Sequence, residues 1–166
     1  MKKNEDKTNV MRLLDQAKIP YTAHGFEVTE ETALDAVTAA AFLGKQPEEI
    51  FKTLVTRGSK GGFFVFVIPG NGKLDLKKAA RAAGEKSIEM LRSAELLPLT
   101  GYIHGGCSPI GMKKVFPTFF DESVLSLPTV TVSAGKLGRQ VELEPSALIK
   151  FTRAKTADLL VEEETE

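Results

Sequence analysis

From Asn9 to Ala17 the apolar residues Val10, Leu13, Leu14 and Ala17 recur at helical spacing, which predicts an amphipathic first helix. Pro20 then favours extended chain, so Tyr21 to Phe26 reads as a strand. Thr32 is placed to cap a helix over Ala33 to Leu43, whose small residues suit close packing and which Gly44 closes. Pro47-Glu48-Glu49 suits a first helical turn. Ile50 to Thr56 and Phe63 to Ile68 are rich in β-branched and aromatic residues, and the glycine-containing link from Arg57 to Gly62 turns one back on the other as a hairpin. Phe63 to Ile68 is apolar throughout, which predicts a strand covered on both faces and helices flanking the sheet. Asp75 to Ala83 reads as a helix stopped at Gly84, and Glu89 to Leu96 as another ending before Pro98. Further strands are predicted at Pro117 to Asp121, Thr129 to Ser133 and Gln140 to Leu143, with a last helix from Pro145 to Phe151. Strands and helices mix without strict alternation. The expectation is one α+β domain with a mixed sheet over residues 1–161, followed by an acidic tail at 162–166.

Composition agrees with this pattern and narrows the setting. A chain of 166 residues is long enough to bury roughly two-thirds of its unfolded surface around one core. A hydrophobic fraction of 42% argues against global disorder, and no apolar run approaches the ~18 residues of a membrane span. The polar start Met-Lys-Lys-Asn-Glu-Asp leads into no apolar stretch of a secretory signal. Cys107 is the one cysteine, so an internal disulfide and a CxxC zinc site are both excluded. These features predict a cytoplasmic protein.

The charge is balanced overall, with 22 basic and 22 acidic residues, but unevenly placed. Residues 51–155 carry sixteen basic against eight acidic side chains, while residues 1–50 and 156–166 are both net acidic. The middle of the chain can thus present a basic face to a modest nucleic-acid contact. Candidate phosphate contacts are Lys73, Lys77, Lys78, Arg81 and Lys86, and separately Lys113, Lys114, Lys136 and Arg139.

Familiar catalytic motifs are missing. Gly70-Asn71-Gly72 lacks the third glycine of a dinucleotide fingerprint, and Gly106 to Lys113 lacks the Gly-Lys-Ser/Thr of a P-loop. There is no HExxH, nucleophile elbow or carboxylate cluster at metal spacing, and the only histidines are His24 and His104. Three other features stand out. Lys52 interrupts the apolar run Ile50-Phe51-Lys52-Thr53-Leu54-Val55, with its side chain on the face opposite Phe51 and Thr53. It either reaches out to water or points into a cleft with an anionic guest. The segment Thr100 to Gly111 holds four glycines and a proline, which let backbone approach a ligand closely. Ser133-Ala134-Gly135-Lys136-Leu137-Gly138 is a second small-residue turn directly after an apolar strand.

In this order and separation the three features resemble the YbaK/EbsC family of aminoacyl-tRNA deacylases, relatives of the editing domain of prolyl-tRNA synthetase. The resemblance runs from about Val10 to Asp158 and rests on Ile50-Phe51-Lys52-Thr53-Leu54, Lys73-Leu74-Asp75-Leu76-Lys77-Lys78, Gly101-Tyr102 with Gly105 to Gly111, and Val132 to Lys136. It implies a mixed, partly barrel-like β-sheet covered by helices. It also implies hydrolysis of the ester joining a wrong amino acid to the 3′ end of tRNA, with Cys-tRNA(Pro) as substrate. A synthetase pocket shaped for proline cannot strongly reject a similar-sized amino acid, because one methylene is worth only about 1–3 kcal/mol.

What the resemblance implies for the site is economical in protein groups. Lys52 matches the most important polar residue of the pocket, Gly105 to Pro109 the loop whose backbone shapes it, and Ser133 a serine lining it. Lys52 with the Gly105 and Gly106 amides is expected to hold the terminal adenosine and the ester carbonyl. Phe26, Thr53, Ser108, Pro109, Ser133, Gly135 and Gln140 are expected to line the substrate. The substrate's own cysteine thiol attacks the carbonyl to form a thiolactone, so positioning matters more than a protein nucleophile. No cofactor is implied. The expected partners are aminoacyl-tRNA and prolyl-tRNA synthetase. Gln140 and Phe26 stand where YbaK-like members carry aspartate and tyrosine, which leaves open a preference for alanine or serine, or a non-catalytic tRNA- or synthetase-binding module.

Overall fold

The computed structural model describes residues 7–26 and 36–162. Five helices occur among them: α1 (Asn9–Gln16), α2 (Ala36–Leu43), α3 (Leu76–Ala83), α4 (Ser93–Thr100) and α5 (Pro145–Thr152). The eight strands are β1 (Thr22–Gly25), β2 (Phe51–Gly58), β3 (Phe63–Pro69), β4 (Ile88–Met90), β5 (Thr118–Asp121), β6 (Val130–Ser133), β7 (Arg139–Leu143) and β8 (Lys155–Ala157). Single 3₁₀ turns at Pro47–Glu49 and Glu122–Ser126 complete the set. The proposed Thr32 cap and the acidic residues 163–166 lie outside the described residues.

The strands form two sheets, β1-β7-β6 and β4-β2-β3-β5-β8. The larger is mixed, because β2 pairs antiparallel with β3 and β4 while β5 pairs parallel with β3 and β8. One parallel bridge, Ile50 to Thr131, joins the two sheets along a seam between β2 and β6. The α+β expectation holds. The joined sheet is curved around a core without closing into a barrel among the described residues.

Both faces of β3 are covered, as its unbroken apolar run requires. On one side Phe51, Val55, Val65 and Val67 join Val10, Leu14, Val132, Val141 and Leu148 in the main core. On the other, Phe66 and Ile68 pack with Ala79 and Ala80 of α3, Phe119 and Leu159. Helix α3 starts where Asp75 accepts hydrogen bonds from Lys77 N and Lys78 N, and it ends at left-handed Gly84.

One element departs from expectation. Residues 89–96 are not a helix: Ile88–Met90 is the edge strand β4, paired with Thr56 to Gly58, and the helix runs from Ser93 to Thr100 with Pro98 inside it. Glu95 folds back to accept from Arg92 N at 3.1 Å, which starts the helix later, and left-handed Gly101 ends it beyond the proline. Proline in so short a helix removes one donor and little else. Strand β8, only three residues long, had no sequence signal at all.

Candidate functional site

The seam positions the chemistry. Ile50 and Thr131 are bridged, and the pairing between β2 and β6 does not continue beyond them. Two residues further on, Lys52 and Ser133 stand at the same level. Across the smaller sheet Ser133 is opposite Gln140, and Gln140 is opposite His24. Strand alternation therefore sets Lys52, Ser133, Gln140 and His24 in one row on one face, the opposite face from Val132 and Val141 in the core. Ser133 and Lys52 are half-buried and Gln140 is 8% exposed.

Within this row the polar groups are unevenly satisfied. Lys52 Nζ donates to Gly70 O at 3.3 Å, which holds the ammonium over the end of β3. Ser133 Oγ accepts from Gly135 N at 3.1 Å, leaving its own O–H to donate elsewhere. Gln140 Oε1 is buried and has no hydrogen-bond partner among the described residues. Thr53 Oγ1 is in the same condition, but on the face opposite Lys52. A buried acceptor without a donor is destabilising by about 1–3 kcal/mol, so Gln140 Oε1, on the Lys52 face, is a costly orphan unless something outside the protein pairs with it.

A second row, two residues along, carries a tight ionic cluster. Glu142 Oε1 meets His24 Nε2 at 2.7 Å and Lys45 Nζ at 3.0 Å, while Thr129 Oγ1 donates to Glu142 Oε2 at 2.5 Å. The Thr129 hydroxyl, followed by His24 and Lys45, outweighs desolvation and holds the carboxyl down to about 2. Sequence reasoning missed this cluster. Its one signal was the Gln140-x-Glu142 spacing, which places both side chains on one face of a strand.

The glycine loop and the 133–138 turn are locked together by Tyr102. Its hydroxyl donates to Ile110 O at 2.5 Å, and its ring leaves so little room that a Cβ on Gly111 or Gly135 would come within 2.9 Å of it. Val10 and Leu13 of α1 press on the same two glycines, whose φ values of +78° and +93° no larger residue adopts easily. Gly106 closes the arrangement, lying so near the turn that a Cβ there would be 3.4 Å from Leu137 N.

The expected site residues thus divide. Lys52, Ser133, Gly135 and Gln140 gather at the seam, and Phe26 N donates to Gly138 O at 2.9 Å, which brings Phe26 to the same turn. Gly105 is exposed with φ +86°. The Gly106 N–H donates to Ile103 O at 3.0 Å, so this amide is engaged inside the loop and helps to shape it. Ser108 is fully buried and its Oγ accepts from Ile110 N at 3.2 Å, and Pro109 is buried beside it; both hold the loop together. Thr53 lies behind the seam. Cys107 is 7% exposed, and burial pushes its thiol up to about 12, so it stays protonated and packs as a small apolar group. No helix among the described residues is long and apolar enough to cross a membrane.

Comparison with known proteins gives this geometry a family. The model of the aminoacyl-tRNA editing domain matches residues 30–151. A candidate Cys-tRNA(Pro)/Cys-tRNA(Cys) deacylase, EbsC of Enterococcus faecalis, is 49% identical over 162 residues, covering 98% of each chain. The proline–tRNA ligase of Shouchella clausii is 30% identical over 100 residues, which are 60% of this chain and 17% of the ligase. A crystal structure of a candidate trans-editing enzyme for prolyl-tRNA synthetase superposes with a TM-score of 0.79 at 29% identity, covering 92% of this chain and 95% of that one. With the matched segment containing Lys52, Ser133 and Gln140, the chain belongs to the aminoacyl-tRNA editing domain family, in its YbaK/EbsC branch.

Proposed function

We propose that this aminoacyl-tRNA deacylase removes cysteine wrongly attached to tRNA(Pro), by setting the substrate's own thiol against its ester. The observation that carries this reading is that, among the described residues, the seam offers a cation, a hydroxyl and an orphaned amide oxygen but no activated protein nucleophile. Cys107 is buried and protonated, and His24 Nε2 is occupied by Glu142. Binding groups without a nucleophile suit a reaction whose nucleophile arrives with the substrate.

In this scheme the Lys52 ammonium and the Gly105 amide hold the terminal adenosine and the developing oxyanion of the ester carbonyl. Gln140 Oε1, unpartnered in the protein, accepts from the substrate's α-ammonium, a weaker hold than a carboxylate gives. The cysteine thiol gives up its proton, and its sulfur bonds to the carbonyl carbon. The bond from that carbon to the ribose oxygen then breaks, and the oxygen takes up a proton. The products are a thiolactone and free tRNA. Serine in the same pose offers a far weaker nucleophile, and alanine none.

Prolyl-tRNA synthetase supplies the tRNA selectivity, in the cytoplasm where tRNA is charged. The wider relation to proline–tRNA ligases supports that pairing. The test is single-turnover hydrolysis of Cys-, Ser- and Ala-tRNA(Pro), and of Cys-tRNA(Cys), with and without the synthetase. The expected result is fast loss of cysteine alone, with discrimination between tRNAs only when the synthetase is present. Equal hydrolysis of Ala-tRNA(Pro) overturns the thiol mechanism, and saturable binding without hydrolysis overturns the enzyme.

A further inference from the structure

Two groups of cations were legible in the sequence, and the fold separates them. Those around α3 share their surroundings with Asp75, Glu85 and Asp158, although of the five only Lys78 is ion-paired among the described residues. Lys78 Nζ is tied to Asp158 at 3.1 Å and to Leu160 O at 2.8 Å, Asp75 caps the helix, and Glu85 reaches back to Ser59 and Lys60 N. The other group surrounds the glycine loop. No acidic residue occurs from Leu96 to Phe120 or from Ser123 to Val141, while Lys113, Lys114 and Lys136 lie in those segments. All three are exposed, and none is paired with a carboxylate among the described residues, whereas Lys7, Lys45, Arg57 and Lys78 all are.

The backbone fixes where these lysines stand. Lys113 N donates to Thr100 O at 3.0 Å, and its stem lies across Gly101, where a Cβ would be 3.3 Å from Lys113 Cγ. Lys136 Cα would be 3.6 Å from a Cβ on Gly106. Tyr102, wedged between Gly111 and Gly135, clamps the two lysine-bearing segments into one rim beside the seam. A rim of exposed cations clear of carboxylates favours a polyanion, and its place beside the seam favours one whose end lies at the seam.

We propose that Lys113, Lys114 and Lys136 form the track for the phosphodiester backbone of the substrate's 3′ strand, directly upstream of the nucleotide held at the seam. The proposal rests on the reading of the seam as an aminoacyl-ester site, and it selects this rim over the α3 cations. Arg139 is not part of the track, because it lies under Gly25 and against Gly138 O and supports the turn.

The test compares Lys113→Ser/Lys114→Ser/Lys136→Ser with Lys73→Ser/Lys77→Ser/Arg81→Ser in the full chain. Each is assayed on Cys-tRNA(Pro), on the minimal ester 3′-O-cysteinyl-adenosine, and for binding of uncharged tRNA across a salt series. The rim variant should lose at least tenfold in kcat/KM on the tRNA and hydrolyse the minimal ester within twofold of the parent. Its plot of log binding constant against log salt should flatten by about 2, from about 0.7 for each phosphate contact on a single strand. The α3 variant should stay within threefold throughout. An unchanged salt slope in the rim variant, or the larger loss in the α3 variant, overturns the proposal. So does loss of synthetase association with the slope intact, which would make the rim a protein contact. Should the parent hydrolyse neither ester, the deacylase reading fails, while the salt series still decides the track.

Discussion

The β2–β3 hairpin and the β2–β6 seam share a strand and differ in almost every other respect. The hairpin has seven consecutive register pairs, from Phe51 with Pro69 to Arg57 with Phe63, and Val65 to Ile68 are fully buried. The seam has one bridge, followed by a buried amide oxygen without a donor and glycines at left-handed φ. The pairing that stabilises the fold is complete in the first region and breaks off in the second. The proposed binding chemistry falls where the ladder stops, and there polar groups and backbone are left to meet a guest. On that proposal the hairpin is the scaffold, and the seam gives up some stability for recognition.

Substitutions on either side should separate these roles. Phe66→Ala removes a fully buried ring stacked on Phe119 at 5.4 Å, and should lower unfolding free energy by about 3–5 kcal/mol in a urea titration, with activity per folded molecule retained. A loss below 1 kcal/mol would show that the hairpin is not the main source of stability.

Glu142→Gln tests the ionic cluster beside the seam. The folded carboxyl sits near 2 against an ordinary 4.5, so the stability it contributes is fully present above about pH 4.5 and is lost as pH falls through 2. The parent should therefore exceed the variant in stability near pH 7 and converge with it near pH 2. Parallel curves across that range would contradict the assignment.

Tyr102→Phe keeps the ring between the two turns and orphans the buried Ile110 carbonyl. Expected are a loss of about 1–3 kcal/mol in stability and a fall in kcat that exceeds any change in KM, read from steady-state deacylation. The burial that pushes the phenol up to about 12 keeps it protonated, so the variant's pH–rate profile should match the parent's. The smallest stability effect belongs to Gln140→Leu, which removes the unpartnered oxygen. Thermal unfolding should be unchanged or raised, by up to about 1 kcal/mol, while kcat/KM for Cys-tRNA(Pro) falls. Parallel losses of stability and activity in this variant would place Gln140 in the scaffold.

The hairpin was legible in the sequence because its signal is local: an apolar run, β-branched residues and a glycine link. Helix α3 was legible for the same reason, from Asp75 and Gly84 at its ends. Strand β4 was misread because three residues gain their structure from pairing with β2, and Pro98 suggested a stop that the chain does not make there. Lys52, Ser133 and the glycine loop were found through their oddness among apolar neighbours and through the family resemblance. The ionic cluster of His24, Lys45 and Glu142, and the orphaned state of Gln140, were not. They exist only once β1 pairs with β7, which brings together residues more than a hundred positions apart. The internal use of the Gly106 amide likewise depends on how the loop folds on itself.

The central claim is that the Lys52 ammonium, held at the open seam, positions an aminoacyl ester for cleavage. Single-turnover deacylation of Cys-tRNA(Pro) by the parent and by Lys52→Ala, at matched folded concentration, tests it most directly. The account predicts at least a tenfold slower rate in the variant, about 1.4 kcal/mol, with little change in unfolding temperature. An unchanged rate in a folded Lys52→Ala protein would contradict it.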